Sequence, residues 1–265
     1  MKTQICPLYG AIGGDMIGSC YEWHNVKTKE FPLFTLHSKF TDDSVMTVGT
    51  ADALLNHLGF LTAYRKWGAL YPHAGYGGSF RRWLVSPRPA PYNSWGNGSA
   101  MRVSPVGFYC KSESEVLSEA RSSAEVTHNH PEGIKGAQAA ALAVYLARTG
   151  AGKPQIKEKM ESLFGYDLSS RNLDEIRPDY TFDVSCTGTL PVALLAFLES
   201  ADYEDAVRNA VSVGGDSDTI AAITGGIALA FYKEMPPAVV AGIEKRLPSD
   251  MLGICRQFSG ACPEL

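Results

Sequence analysis

No apolar stretch in this 265-residue chain is long enough to cross a bilayer, which takes about 20 consecutive apolar residues. Residues 1–7, Met1-Lys2-Thr3-Gln4-Ile5-Cys6-Pro7, lack the apolar core of a signal peptide. No run of lysine or arginine occurs, and the net charge is −4, so no overall basic field draws in nucleic acid. The six cysteines, at 6, 20, 110, 186, 255 and 262, form no CxxC pair. Their scatter argues against a zinc site or a disulfide framework and fits reduced, mostly buried thiols. Strand-type alternation is also scarce. These absences point to a cytoplasmic monomer with no membrane or nucleic-acid partner.

What is present is ample material for a core: 45% of residues are hydrophobic and 20% charged. Helical periods dominate, with no compositional break. The expectation is a single all-α domain over residues 1–265 with long functional loops.

Two stretches concentrate carboxylates and hydroxyls. Gly214-Gly215-Asp216-Ser217-Asp218-Thr219 sets two acids two residues apart, behind two glycines that permit a sharp turn. The small apolar run 220–230 reads as a buried helix. Its acids therefore fall where unpaired N–H groups and the helix dipole favour negative charge. Thr41-Asp42-Asp43-Ser44 repeats the pattern ahead of a second apolar-periodic helix, 45–55. Either stretch alone fits ordinary capping. Each also offers an all-oxygen surface to a hard divalent cation, and two such loops can supply opposite sides of one metal site.

Small residues at 10, 11, 13, 14 and 18 allow close helix packing. A dinucleotide loop is excluded there, because no strand precedes it and the G-x-G-x-x-G spacing is missing. The segment reads as a helix that brings Asp15 and Glu22 onto one face, two turns apart. Glu22 also reads as a solvated acid.

Further helices are expected over 45–58, 60–70, 113–126, 132–148, 187–200, 203–211 and 237–246, with a surface helix and connecting loop in 152–180. Gly75-Tyr76-Gly77-Gly78 is a glycine-rich turn, and Pro87, Pro89 and Pro91 mark an extended loop. In Asn93-Ser94-Trp95-Gly96-Asn97-Gly98-Ser99, small residues suit approach of backbone N–H groups to a phosphate or sugar. Asn97-Gly98 equally suits a simple turn. His128 and His130 read as hydrogen-bonding histidines, since no further ligand stands at metal-site spacing.

Taken in order, five stretches resemble one family: Gly14-Asp15-Met16-Ile17-Gly18 with Glu22, Thr41-Asp42-Asp43-Ser44, Gly96-Asn97-Gly98-Ser99-Ala100-Met101-Arg102, Thr127-His128, and Gly214-Gly215-Asp216-Ser217-Asp218-Thr219. The pattern, running from residue 10 to about 232, is similar to that of the ADP-ribosylglycohydrolases. The resemblance implies an orthogonal helical bundle with two magnesium or manganese ions in a central cleft. It implies cleavage of the glycosidic bond between ADP-ribose and a modified protein or small molecule. By motif position, Thr41, Asp42, Asp43, Asp216, Asp218 and Thr219 would be the metal ligands. Glu22 would lie beside the metals. Gly75, Tyr76, Gly77, the loop Asn93, Ser94, Gly96, Asn97, Gly98 and Ser99, and His128 would cradle the diphosphate and distal ribose. The chain is short for the family, and Ser44 and Ser217 stand where threonine is usual. Some relatives serve as lens crystallins without catalysis; retention of both acidic motifs argues against that here.

The chemistry is coherent. Ribosyl departure builds positive charge at the anomeric carbon, and metals can orient that carbon and acidify a water. Asp43 is the expected base, with Glu22 the second candidate for acid–base work. Two alternatives remain open at this point: a two-metal nucleotide-diphosphate phosphohydrolase, and a protein that binds ADP-ribose without turnover.

Overall fold

A computed structural model describes residues 5–262; Met1–Gln4 and residues 263–265 lie outside it, so the start of the segment weighed as a signal peptide and both ends of the 1–265 domain are not described. The helices are α1 (Tyr9–Gly18), α2 (Asp42–Leu55), α3 (Phe60–Leu70), α4 (Gly78–Val85), α5 (Gly98–Met101), α6 (Ser104–Tyr109), α7 (Glu113–Glu125) and α8 (Pro131–Arg148). They continue as α9 (Lys153–Phe164), α10 (Leu173–Ile176), α11 (Cys186–Leu198), α12 (Tyr203–Val213), α13 (Ser217–Tyr232), α14 (Pro237–Glu244) and α15 (Ser249–Ala261). Among the described residues there is no strand, only an isolated bridge between Gly96 and Ser185. The domain is all-α, as its helical periods require. All six cysteines are free, four of them buried.

α13 is the central post. Ser217 to Ala230 are all buried, and α1, α8, α11 and α12 pack around it. Burying Ile220, Ile223, Ile227 and Leu229 contributes roughly 1.5–3 kcal/mol each. That outweighs the ~0.5–1 kcal/mol by which a glycine weakens a helix interior.

The crossing of α1 and α13 depends on glycine. Gly10, Gly14 and Gly18 repeat every four residues and share one face of α1. A Cβ on Gly14 would stand 2.0 Å from the Ala221 carbonyl oxygen, and one on Gly18 would stand 2.5 Å from Asp218 Cα. Ser217 Oγ donates to the Gly18 carbonyl at 3.2 Å. The end of α1 is thus pressed against the acidic start of α13.

The structure corrects the expectation that one helix carries both Asp15 and Glu22. α1 stops at Gly18, and Glu22 lies in the following turn. Ser19 Oγ donates to the Met16 carbonyl, while Asn25 Nδ2 donates to the carbonyls of Tyr21 and Glu22. These bonds take over carbonyls that a continuing helix would have used.

Five helices were not expected: α4, which follows the glycine-rich turn, α10, which lies in the stretch read as a connecting loop, and α5, α6 and α15. α5 and α6 are single turns next to glycine and proline, too short to hold without tertiary contacts. α15 buries Met251, Ile254, Cys255 and Phe258, an i, i+3, i+4, i+7 stripe that was legible in the sequence. Among the described residues, no helix is long and apolar enough to cross a membrane.

Candidate active site

Both acidic stretches sit at helix starts. Gly214 and Gly215 have φ of 75° and 71°, the left-handed turn their sequence anticipates, and deliver Asp216 to the N-terminus of α13. Plain capping does not account for the acids. Asp216 makes no side-chain cap bond, and α2 is capped by the Thr41 hydroxyl, which accepts from Asp43 N.

Asp15 organises the first loop. It is fully buried and accepts from Thr41 N at 2.9 Å, Thr41 Oγ1 at 2.7 Å, Ser44 N at 3.1 Å and Ser44 Oγ. Both of its oxygens are engaged, so it holds the Thr41–Ser44 turn in place. Sequence reasoning paired Asp15 with Glu22 and missed this role; its only signal was an acid inside a small-residue helix. In the second loop, Asn97 Nδ2 donates to Asp216 Oδ2 at 2.7 Å and to Thr189 Oγ1 at 3.0 Å. Asn97, expected against the substrate, therefore also fixes an acid.

The loops face one cleft of about 670 Å³. It is lined by Glu22, Thr41, Asp42, Asp43, Asp216, Asp218 and Thr219. Gly75, Gly77, Ser94, Gly96, Asn97, Gly98 and His128 also line it, with Gly75 beside Asp42 and Asn97 bonded to Asp216. The bridge to Ser185 ties the stretch around Gly96 down, with Asn97 N donating to the Val184 carbonyl at 2.7 Å and Cys186 N to the Trp95 carbonyl at 2.9 Å.

Three residues expected in the cradle lie outside the cleft lining. Tyr76 is buried with its ring stacked on Phe80, centroids 5.3 Å apart. Ser99 donates inward to the Gly133 carbonyl at 2.7 Å. Asn93 turns outward with φ 53°, its N–H bonded to Asn129 Oδ1. In each case packing or a distant acceptor decides the direction, which spacing does not encode. The cleft also gains residues the sequence did not mark. Trp23 and Phe182, both exposed, line it and stack with centroids 5.3 Å apart, and the buried Arg102 lines it as well.

The acids are held against their mutual repulsion. Asp15, Asp43 and Asp218 each place a carboxylate oxygen within 4.8 Å of the others, and so do Glu22, Asp216 and Asp218. Among the described residues, no ion pair reaches any of them. Burial pushes the Glu22 and Asp42 carboxyls up to about 7, with Asp216 adding to the first and Asp15 to the second. Burial, then neighbouring carboxylates, raises Asp43 and Asp218 well above the usual range. Asp43 Oδ1 is buried with no hydrogen-bond partner. A bare, buried carboxylate oxygen among hard oxygen donors is the arrangement a divalent cation satisfies. The residues present therefore fit such ions.

Comparison with known proteins gives the family and the fold. A family model described as ADP-ribosylglycohydrolase matches residues 7–264. ADP-ribosylhydrolase ARH3 of Homo sapiens is 27% identical over 304 residues, covering 85% of this chain and 84% of its own. ADP-ribosylarginine hydrolase Tri1 of Pseudomonas putida is 30% identical over 154 residues, covering 54% of this chain and 40% of its own. A solved structure described as an ADP-ribosylglycohydrolase-related protein complex superposes with a TM-score of 0.72 at 24% identity, covering 97% of this chain and 96% of that one. At that identity the likeness is one of fold.

Proposed function

Because the chain belongs to the ADP-ribosylglycohydrolase family, we propose that it hydrolyses the glycosidic bond joining ADP-ribose to a modified protein or small molecule, releasing ADP-ribose. The observation that carries this reading is the unpartnered, buried Asp43 Oδ1 within a ring of acids from two distant loops. The cleft volume, about 670 Å³, suits a ligand of nucleotide size.

Thr41, Asp42, Asp43, Asp216, Asp218 and Thr219 would hold two divalent cations, magnesium or manganese. When bound, such ions supply Lewis-acid polarisation and lower the pKa of a water. The residues themselves do the rest. The acidic lining would favour positive charge developing at the anomeric carbon. Asp43 would take a proton from the attacking water. Glu22, half-buried in the cleft lining, has its carboxyl pushed up to about 7 by burial in the metal-free chain and would be the second acid–base group. Gly75, Gly77, Ser94, Gly96, Gly98 and His128 line the same cleft and would cradle the diphosphate and distal ribose. The acid clusters contain no histidine, which sets them apart from the histidine-bearing metal motifs of common phosphohydrolases.

The test is a panel of mono-ADP-ribosylated proteins and small molecules, incubated with magnesium or manganese and analysed for product. Free ADP-ribose supports the reading. AMP would replace it with phosphohydrolysis, and tight binding without product would make the protein a binding module.

A further inference from the structure

Thr127 has no part in the chemistry above, yet its hydroxyl sits between two buried groups. Arg102 Nη2 donates to Thr127 Oγ1 at 2.9 Å, and the same oxygen stands 2.7 Å from His128 Nδ1. All three residues are buried. Arg102 lies over the Tyr64 ring, 4.2 Å from its centroid, and Nη2 also donates to the Ser123 carbonyl at 2.7 Å. Among the described residues it forms no ion pair with a carboxylate.

The direction of the chain follows from what each group can do. A guanidinium only donates, so the Thr127 oxygen accepts from Arg102. The Thr127 hydroxyl hydrogen then needs an acceptor, and among the described residues His128 Nδ1 is the one within reach. A protonated Nδ1 would leave that buried hydrogen unsatisfied, which is unfavourable. Burial, and then the Arg102 charge, keep the His128 ring neutral. Its single N–H therefore falls on Nε2. That atom borders the cleft: a Cβ on Gly98 would stand 3.1 Å from it and a Cβ on Gly96 3.6 Å.

We propose that Arg102 and Thr127 form a buried relay that locks His128 as an Nε2–H donor, aimed at an anionic oxygen of the substrate diphosphate. Arg102 and Thr127 are positioning residues, and His128 makes the contact. The identity of the ligand rests on the function proposed above; the tautomer does not.

The experiment records long-range ¹H–¹⁵N correlations of the His128 ring in ¹⁵N-labelled protein, without substrate. It compares wild type, Thr127→Val and Thr127→Ser, and adds ADP-ribose calorimetry and steady-state kinetics for each. Wild type should show the Nε2–H tautomer. Thr127→Val should lose that preference, bind ADP-ribose about ten-fold more weakly and raise KM with kcat little changed. Thr127→Ser should restore all three. An Nδ1–H tautomer in wild type overturns the relay without need of any variant. So does a Thr127→Val protein that weakens binding with the tautomer unchanged, because Thr127 is then only packing. The expected tautomer in a wild-type protein that does not bind ADP-ribose leaves the relay standing and overturns both the diphosphate contact and the proposed function.

Discussion

Thr219 Oγ1 stands 3.4 Å from Asp43 Oδ2, joining loops that are 176 residues apart in sequence. Thr41 Oγ1 lies at the same distance from that oxygen. One oxygen of Asp43 is thus flanked by a hydroxyl from each loop, while the other is bare.

Asp43→Asn and Asp218→Asn test whether the two loops act as one unit. Asparagine caps a helix as well as aspartate does, so a capping role predicts little change. A shared metal site predicts that each substitution lowers hydrolysis by orders of magnitude, because the shape remains but a charge is lost. The double substitution should be no worse than the poorer single, since one broken site is not broken twice. Turnover and metal affinity of the three proteins decide the matter. Near-normal values in either single would return both loops to capping.

Metal removal should act on stability as well as turnover. Burial, the leading cause for both, pushes the Glu22 and Asp42 carboxyls up to about 7 in the folded, metal-free chain. In the unfolded chain such groups titrate near ~4. Between those values the folded state holds protons that the unfolded state has released. Stability contributed below pH ~4 is therefore lost as the pH rises towards about 7. Metal-free protein should melt at a higher temperature at pH 5 than at pH 7.5. Magnesium or manganese should raise Tm more at pH 7.5, where the carboxylates are ionised. A chelator should abolish hydrolysis and added metal restore it. A melting temperature flat from pH 5 to 7.5 without metal would contradict the clustered carboxylates.

Gly98→Val should weaken ADP-ribose binding while leaving the helical content intact. The new Cβ would come 3.1 Å from His128 Nε2, tighter than ordinary contact, and the branched methyls would enter the cleft. Calorimetry and far-ultraviolet circular dichroism separate the two effects. Unchanged affinity would show that residues 93–99 form a turn and nothing more.

Gly14→Ala should destabilise the protein by at least the ~1–3 kcal/mol typical of overpacked cores. Its methyl would stand 2.0 Å from the Ala221 carbonyl oxygen, on backbone that cannot swing aside. Metal affinity should fall too, because α1 carries Asp15 and Asp15 holds the Thr41–Ser44 turn. Thermal unfolding and metal titration measure both. Wild-type stability would mean that α1 and α13 do not cross this closely.

Much of the fold was legible because its signals are local. The apolar run 220–230, the glycines at 10, 14 and 18, and acids mixed with hydroxyls before two helices are all short-range patterns. Single-turn α5 and α6 were not legible, since their stability comes from contacts with distant helices. Glu22 was identified as a site candidate but placed on a helix that in fact ends at Gly18. The stop is made by Ser19, Asn25 and the packing of Gly18 on Asp218.

The sequence by itself determined the all-helical class, the two acidic helix starts and the oxygen-only character of the donors, because helix period, capping chemistry and turn glycines act within a few residues. Only the tertiary structure decided which polar groups are spent within the fold and which are left lining the cleft. Asp15 spends its oxygens on Thr41 and Ser44, Asn97 reaches across 119 positions to Asp216, and Tyr76 turns into the core. Those outcomes depend on which donor, acceptor or ring lies opposite once the helices have packed, and no spacing along the chain carries that information.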